Sequence, residues 1–133
     1  MYYICIMIVE KGININDSTG QWSDMLLTGV KTIETRNQNN LKSFVGKPIG
    51  VVQTGVGKAK VVGFIILGDP IEYKTKFAFR QDSKKHCVKP NSQFDWNGVK
   101  FGYPVTVIKK LNKPIPVTSR GYVSRKIQPY EIY

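Results

Sequence analysis

The sequence predicts a small α+β domain, a β-barrel of about five to six mostly antiparallel strands with one or two short helices. Two observations support this fold class. Short apolar runs are separated by Gly, Pro and Asn turn signals, as is typical of short strands. An amphipathic segment follows the first of these runs, so the elements are ordered strand, helix and then several strands.

The length and composition of the chain are those of one folded domain. Its 133 residues can bury a hydrophobic core, and 41% of them are hydrophobic. No internal repeat, low-complexity run or linker divides the sequence. We therefore expect one domain over residues 1–133, with a basic C-terminal tail at about residues 118–133.

The first strand is predicted over residues 2–9, where an apolar run begins close to the first residue. Its composition favours burial on both faces, as in a central or barrel strand. The run is far shorter than the ~20 residues of a membrane helix, and no basic region precedes it, so we expect no membrane span. A polar loop is expected from Gly12 to Gly20.

A helix is predicted at about Thr19–Thr28. Ser18 or Asp17 can cap its N-terminus, and Gln21 lies three residues after Ser18, as in a capping box. Gly29 supplies the C-terminal stop. The spacing of the apolar side chains predicts one buried stripe, which consists of Trp22, Met25 and Leu26.

The stretch after this helix combines β-branched residues with charges, which predicts a charged strand at Thr32–Arg36. Alternation places Glu34 and Arg36 on one face with Thr32, and it places Ile33 toward the core. Lys31 enters from the preceding turn. The same spacing also fits a solvated strand face that carries a weak ion pair.

The remainder of the chain reads mainly as strands. Gly55-Val56-Gly57-Lys58 lacks the spacing of a phosphate-binding loop, and no long helix follows it. The expected elements are a strand at Ile49–Thr54, a strand at Lys58–Leu67 bent or bulged at Gly63, a short helix within residues 74–86, a loop at residues 87–97, a strand at Lys100–Lys110 and a short edge segment at Lys113–Val117.

The net charge of +11, from 20 basic and 9 acidic residues, favours a polyanionic partner. Nucleic acid is the first candidate partner and an anionic membrane surface the second. The alternative without a partner is that the charge only maintains solubility. The charges are unevenly distributed, because no acid lies between Arg36 and Asp69 and only Glu131 follows Asp95. This clustering favours a basic face.

The chain has one histidine, His86, next to Cys87, and its only other cysteine is Cys5. Two cysteines do not make a disulfide framework, so a reducing cytoplasm is the simpler assumption. Adjacent His and Cys residues are poorly spaced for a zinc site, and we expect no metal or other cofactor. Any catalytic acid or base must then be a carboxylate, a lysine or a tyrosine.

Gly29, Lys31, Glu34 and Arg36 are in register with Gly-x-Lys-x-x-Glu-x-Arg, the signature of the ASCH domain, a branch of the PUA-like superfamily of β-barrels. The chain resembles this family over about residues 2–125. The other stretches that carry the resemblance are Trp22 at the start of the helix, Gly46–Val51, Val61–Phe64, Tyr103–Ile108 and Pro114–Val117.

The resemblance implies a PUA-like barrel that binds RNA or a modified nucleotide in a cleft beside the first helix. ASCH relatives have been assigned RNA binding, ribonuclease activity and, in one branch, removal of the acetyl group from N4-acetylcytidine. That branch uses a lysine and a threonine of its motif. Lys31 matches the lysine, but Glu34 occupies the threonine position, which argues against the amidohydrolase.

The hypothesis is a basic cleft centred on Lys31, Glu34 and Arg36. Arg36 can grip a phosphate, and Glu34 can accept hydrogen bonds from an exocyclic amine or a 2′-OH. The alternative is a metal-independent hydrolase, either a ribonuclease or an N4-acetylcytidine amidohydrolase, in which Lys31 acts as general acid/base and Glu34 assists. A third alternative is a basic interaction module that uses only its surface.

Five further residues are candidates for nucleic-acid contacts, each beside a structural alternative. Trp22 can stack a base or belong to the core, and Tyr103 can be a catalytic or stacking tyrosine or belong to the core. Lys58 and Lys60 can meet phosphates or form a solvated strand edge. Arg120 belongs, with Arg125 and Lys126, to a tail that either folds on RNA or is only a charged terminus.

Overall fold

The computed structural model describes residues 6–132, which form seven strands and three short α-helices. The strands are β1 (Met7–Asn16), β2 (Ile33–Arg36), β3 (Pro48–Thr54), β4 (Lys60–Leu67), β5 (Ile71–Tyr73), β6 (Lys100–Pro116) and β7 (Ser124–Ile132). The helices are α1 (Trp22–Leu27), α2 (Lys76–Gln81) and α3 (Ser83–His86), and a 3₁₀ turn lies at Lys42–Phe44.

The strands form one mixed sheet in the order β2-β6-β4-β3-β1-β7, with β5 paired to β6 off this path. The β1–β3 pair is parallel and the other pairs are antiparallel, which confirms a mostly antiparallel α+β architecture. The expectation of a closed barrel is wrong, because β2 and β7, at the two ends of the order, do not pair within residues 6–132.

Apolar side chains pack on both faces of the curved sheet. Along β3, Val51 packs in a cluster with Leu26 of α1, and its neighbour Val52 packs on the opposite face with Phe64. The register shifts where β4 meets both neighbours near Gly63, which confirms the predicted bulge. Such a bulge bends its strand, here beside the cluster that contains Val51 and Leu26.

Gly63 also lets α1 approach the sheet. A Cβ at this position would lie 2.5 Å from Cδ2 of Leu27 and 2.6 Å from the carbonyl oxygen of Lys109. The helix can therefore rest directly on the β4–β6 pair.

Helix α1 is shorter than predicted, and the capping box is not formed, because Gln21 is itself the N-cap. Asp17 still stabilises the helix start from the loop, where its carboxylate accepts hydrogen bonds from the backbone N–H and the hydroxyl of Ser23. Gly29 ends the helix as predicted, with φ of +81°.

Strand β1 differs from the predicted first strand at residues 2–9. Residues 2–5 lie outside the described part of the chain, and Ile8 is 60% exposed, so burial on both faces is wrong. The buried portion comes later, at Ile13 and Ile15, within the stretch expected to be a loop. There β1 lies between β3 and β7, and Ile13 and Ile15 pack beneath α1.

The predicted basic tail is wrong in its second half, because β7 pairs antiparallel with β1 from Ser124 to Ile132. Ile127 is buried in the core cluster of Phe64. The Lys113–Val117 segment is mostly the end of β6, where Ile115 pairs with Val61 of β4. Prolines are tolerated there because backbone pairing is needed on only one edge.

Residues 71–99 form a helical layer beside the start of β6, and the pairing of β5 with β6 joins this layer to the sheet. The predicted short helix is resolved into α2 and α3, and β5 was not predicted. Tyr73, Phe79 and Val88 form its small core. His86 is fully buried, stacks on Phe79 at 4.1 Å between ring centroids, and accepts a hydrogen bond at Nδ1 from the N–H of Val88.

Candidate functional site

A cavity of about 430 Å³ lies between the two ends of the open sheet. One wall comes from β2 and the turn before it, and the other comes from β1, the segment before β7 and β7 itself. Residues from the layer at 71–99 also contribute. The volume falls in the range of roughly 300–1,000 Å³ that is typical of small-molecule sites. The absence of a closed barrel is thus what leaves space for the cavity.

The turn before β2 places Lys31 in the cavity wall. The backbone N–H of Lys31 donates to the carbonyl of Met25 at 2.9 Å, which folds the chain back under α1 after Gly29. The N–H of Thr32 donates to the carbonyl of Lys85 at 2.8 Å and ties the turn to α3. The spacing from Gly29 to Glu34 therefore serves to turn the chain between a helix and a strand.

The Lys31 side chain is almost fully enclosed, with 2% of its surface exposed. Its ammonium donates a hydrogen bond to the carbonyl oxygen of His86 and lies 3.9 Å from Oε1 of Glu34. It also lies 5.3 Å from the centre of the Trp22 ring, which is within cation–π range. Burial lowers the pKa of Lys31, and the neighbouring Glu34 carboxylate opposes that lowering.

Glu34 connects the two cations of the signature. Its Oε2 lies 3.3 Å from Nη2 of Arg36, and its Oε1 accepts from the N–H of Thr35 at 3.1 Å. Arg36 extends across the opening, and Nη2 donates to the carbonyl oxygen of Asn14 in β1 at 2.7 Å. A side chain thus joins β2, at one end of the sheet order, to β1, the strand next to the other end, where a barrel would have a backbone ladder.

Two aromatic rings form an apolar part of the wall. Trp22 opens α1, and its ring is partly buried against the core. The ring of Phe94 meets it edge to face, with centroids 6.0 Å apart. Both line the cavity. The two rings therefore place apolar surface in the cavity wall near the Lys31 ammonium.

Of the residues predicted from the sequence, Lys31, Glu34, Arg36 and Trp22 line the cavity together. Tyr103 does not, because its side chain is fully buried in the core, where its hydroxyl donates to Asn39 and accepts from the N–H of Leu41. Burial raises the pKa of Tyr103. Lys58, Lys60 and Arg120 also lie outside the lining, on the β3–β4 connection, the start of β4 and the segment before β7.

Several lining residues were not predicted, and the most notable are Asn14 and Lys100, whereas Arg125 was expected only as part of a tail that could fold on RNA. Asn14 donates through Nδ2 to the carbonyls of Gly121 and Tyr122 at 2.8 and 3.0 Å, and its buried Oδ1 accepts no hydrogen bond within residues 6–132. Each of the three belongs to a different element from the signature. The only sequence signal for Lys100 was the excess of basic residues after Asp95, and Asn14 had none.

Within residues 6–132, no group of three or more His, Cys, Asp or Glu side chains is placed to hold a metal ion. None of the helices in that range is long and apolar enough to cross a membrane.

Comparison with known proteins reveals similarity in structure. No protein-family model and no curated protein matches the sequence. A serine-to-alanine mutant of the ASCH protein from Zymomonas mobilis superposes with a TM-score of 0.68 and 14% identity, over 90% of this chain and 88% of that chain. The unmutated ASCH protein gives a TM-score of 0.63 at 16% identity, over 83% and 73% of the two chains.

A tyrosine-to-phenylalanine mutant of the same protein gives a TM-score of 0.61 at 16% identity, over 80% of this chain and 76% of that chain. The fold is therefore ASCH-like, as the resemblance at Gly29, Lys31, Glu34 and Arg36 predicted.

Proposed function

We propose that the protein binds RNA or a modified nucleotide, and that the base enters the cavity beside Lys31, Glu34, Arg36 and Trp22. The observation that carries this proposal is the convergence of these four side chains on one cavity of about 430 Å³. The ASCH-like fold and the net charge of +11 are consistent with a polyanionic ligand.

Each group has a role in this proposal. The base stacks on one of the two perpendicular rings, Trp22 or Phe94, and meets the other edge to face, where a stacked base contributes roughly 1–3 kcal/mol. Glu34 accepts a hydrogen bond from an exocyclic amine or a ribose hydroxyl. Arg36 exchanges its bond to the Asn14 carbonyl, or its contact with Glu34, for a contact with the ligand.

The decisive variant is Lys31→Glu, which reverses the charge in the cavity wall. We expect it to lower the affinity for a fluorescent single-stranded RNA at least tenfold, with Lys42→Glu, at an exposed position outside the cavity, as the matched control. A second variant, Lys31→Gln, is measured as well, because a new carboxylate at this buried position can prevent folding. The folding of Lys31→Gln is checked by circular dichroism. Equal losses in the Lys31→Glu and Lys42→Glu proteins would refute recognition in the cavity and favour a surface binder.

A metal-independent hydrolase is the second candidate, and the buried state of Lys31 is what favours it. A lysine whose pKa is lowered can serve as general acid/base near neutral pH. However, the Glu34 carboxylate and the His86 carbonyl both favour the charged ammonium, so we rank recognition above catalysis.

The hydrolase is tested by incubation without metal. Labelled RNA and N4-acetylcytidine are each incubated with wild-type protein and with Lys31→Ala, and the products are separated. Product that forms only with the wild-type protein would support catalysis. Identical traces from the two proteins would eliminate it.

A further inference from the structure

Lys100 is a second buried lysine in the cavity wall. Only 4% of its surface is exposed, and it lies at the start of β6, where it pairs with Tyr73 of β5. Within residues 6–132 its ammonium makes no hydrogen bond and no ion pair, in contrast to the ammonium of Lys31. A cation that is largely enclosed in a cavity wall and unpaired fits a place where an anionic ligand supplies the partner.

The carboxylate whose charge acts on Lys100, that of Asp95, is already engaged. Asp95 lies 2.7 Å from Nη2 of Arg80, and it also accepts hydrogen bonds from the backbone N–H groups of Asn91 and Trp96. These donors hold the pKa of Asp95 well below its usual range, with Arg80 making the largest contribution. Burial lowers the pKa of Lys100, and the influence of Asp95 offsets only part of this effect. The charge of Lys100 is therefore left largely uncompensated.

The excess of basic side chains in the cavity wall also favours an anionic ligand. Four basic side chains line it, namely Lys31, Arg36, Lys100 and Arg125, against the single carboxylate of Glu34. Arg125 reaches the cavity from β7, where Nη1 donates to the carbonyl of Ser119 at 3.2 Å, and its buried Nε has no hydrogen-bond partner in the described range. Glu34 is shared by Lys31 and Arg36 and so leaves the other two cations for a ligand.

We propose that Lys100, together with Arg125, forms an anion subsite that binds the phosphate of the nucleotide whose base is held by the signature residues. This inference rests on the proposed function and adds to it that the ligand is a phosphorylated nucleotide, not a nucleoside. The same chemistry suits a phosphomonoester, on a free nucleotide or an RNA end, and a phosphodiester within an RNA strand.

Isothermal titration with three sets of probes tests the subsite. The sets are the four ribonucleosides, the four ribonucleoside 5′-monophosphates and the corresponding dinucleoside phosphodiesters. We expect at least one phosphorylated set to bind about tenfold or more tightly than the nucleosides, as a charge-assisted contact implies. The phosphorylated set that binds more tightly shows whether the subsite takes a phosphomonoester or a phosphodiester.

Substitutions then assign the effect to Lys100. Lys100→Gln should reduce the advantage of the phosphorylated probe over the nucleoside, both measured with the same variant, to less than about twofold. Lys113→Gln, at an exposed position on the same strand, should retain the full advantage. Retention of the advantage in the Lys100→Gln protein would overturn the assignment.

The wild-type protein provides a test that does not depend on folding of the variant. Excess inorganic phosphate should weaken binding of the phosphorylated probe and leave nucleoside binding unaffected. Equal affinities for nucleosides and both phosphorylated sets would overturn the subsite while leaving the base-binding proposal intact. If no probe binds and single-stranded RNA does not bind either, the proposed function itself fails, and the subsite fails with it.

Discussion

At the scale of single residues, the cavity contains two buried lysines in different environments. Lys31 is held by the His86 carbonyl, Glu34 and the Trp22 ring, so its charge has partners before a ligand arrives. Lys100 lacks a comparable set of partners within residues 6–132. The folded protein therefore carries a charge whose burial it does not fully compensate, at a cost to its stability.

Removal of that charge should stabilise the protein. Lys100→Met keeps a long unbranched side chain, and we expect it to raise the free energy of unfolding at pH 7 by about 1–2 kcal/mol. Burial lowers the pKa of Lys100 in the folded state below its ordinary value of 10.5. Between the folded pKa and 10.5, Lys100 is therefore protonated to a greater extent in the unfolded chain than in the folded protein. In that window the contribution of Lys100 to wild-type stability rises with pH, and the advantage of the variant shrinks.

Urea unfolding at pH 7 and at pH 10 measures both effects. Lys113→Met, at an exposed position of the same strand, is the control and should change stability by less than about 0.5 kcal/mol. A Lys100→Met protein that is less stable than wild type at pH 7 would show that the ammonium has a structural partner and would contradict this account. Lys31 titrates in both proteins and does not affect the comparison.

At the scale of elements, the segments that could be predicted are those in which a few neighbouring residues form a strong sequence pattern. The helix stripe of Trp22 and Leu26, the stop at Gly29 and the charged strand ending at Arg36 could all be found in this way. The second half of β1 could not, because Asn14 lies within its buried part and asparagine is depleted in strands.

The last strand was missed for a related reason. Charged residues and Pro129 obscure the pattern of β7, and the proline is tolerated because β7 is the final strand in the sheet order. The contributions of Asn14, Lys100 and Arg125 to the cavity were also beyond the sequence, since they depend on which strands lie at the two ends of the sheet. Such pairing is a long-range property that local propensity does not encode.

The contact between α1 and β4 can be tested at Gly63. In a Gly63→Ala protein the new methyl group would meet Leu27 and the Lys109 carbonyl at 2.5–2.6 Å, so we expect a loss of about 1–3 kcal/mol in urea unfolding. Gly68→Ala is the matched control, because the nearest atom to its methyl group is Cβ of Pro104 at 3.3 Å, and it should lose less than about 1 kcal/mol. Equal losses would mean that α1 does not rest on this glycine.

At the scale of the whole molecule, the net charge of +11 extends well beyond the cavity. Lys11 and Lys126 are register partners on β1 and β7, and both are exposed, as is Arg120 in the segment that leads to β7. These cations lie on the strands that form one wall of the cavity. An RNA whose nucleotide enters the cavity can therefore lay its neighbouring phosphates along this edge.

A triple variant, Lys11→Gln with Arg120→Gln and Lys126→Gln, tests that path. We expect the slope of log affinity against log salt for single-stranded RNA to become shallower by about 2, while mononucleotide affinity stays unchanged. The control removes the same charge from exposed lysines of the helical layer, at positions 76, 84 and 85, and should leave the slope nearly unchanged. Equal changes in the two proteins would indicate binding without a preferred path.

The hydrogen bond from Arg36 to the Asn14 carbonyl gives the cavity an adjustable aperture. A backbone ladder would fix the distance between β2 and β1, whereas a guanidinium on a flexible stem can swing aside without disturbing either strand's pairing with its own neighbours. If a ligand takes over this contact of Arg36, as proposed above, the side-chain link between β2 and β1 is released in the same step. The separation of these two strands at the cavity would then be set by the bound ligand and not by a fixed backbone ladder.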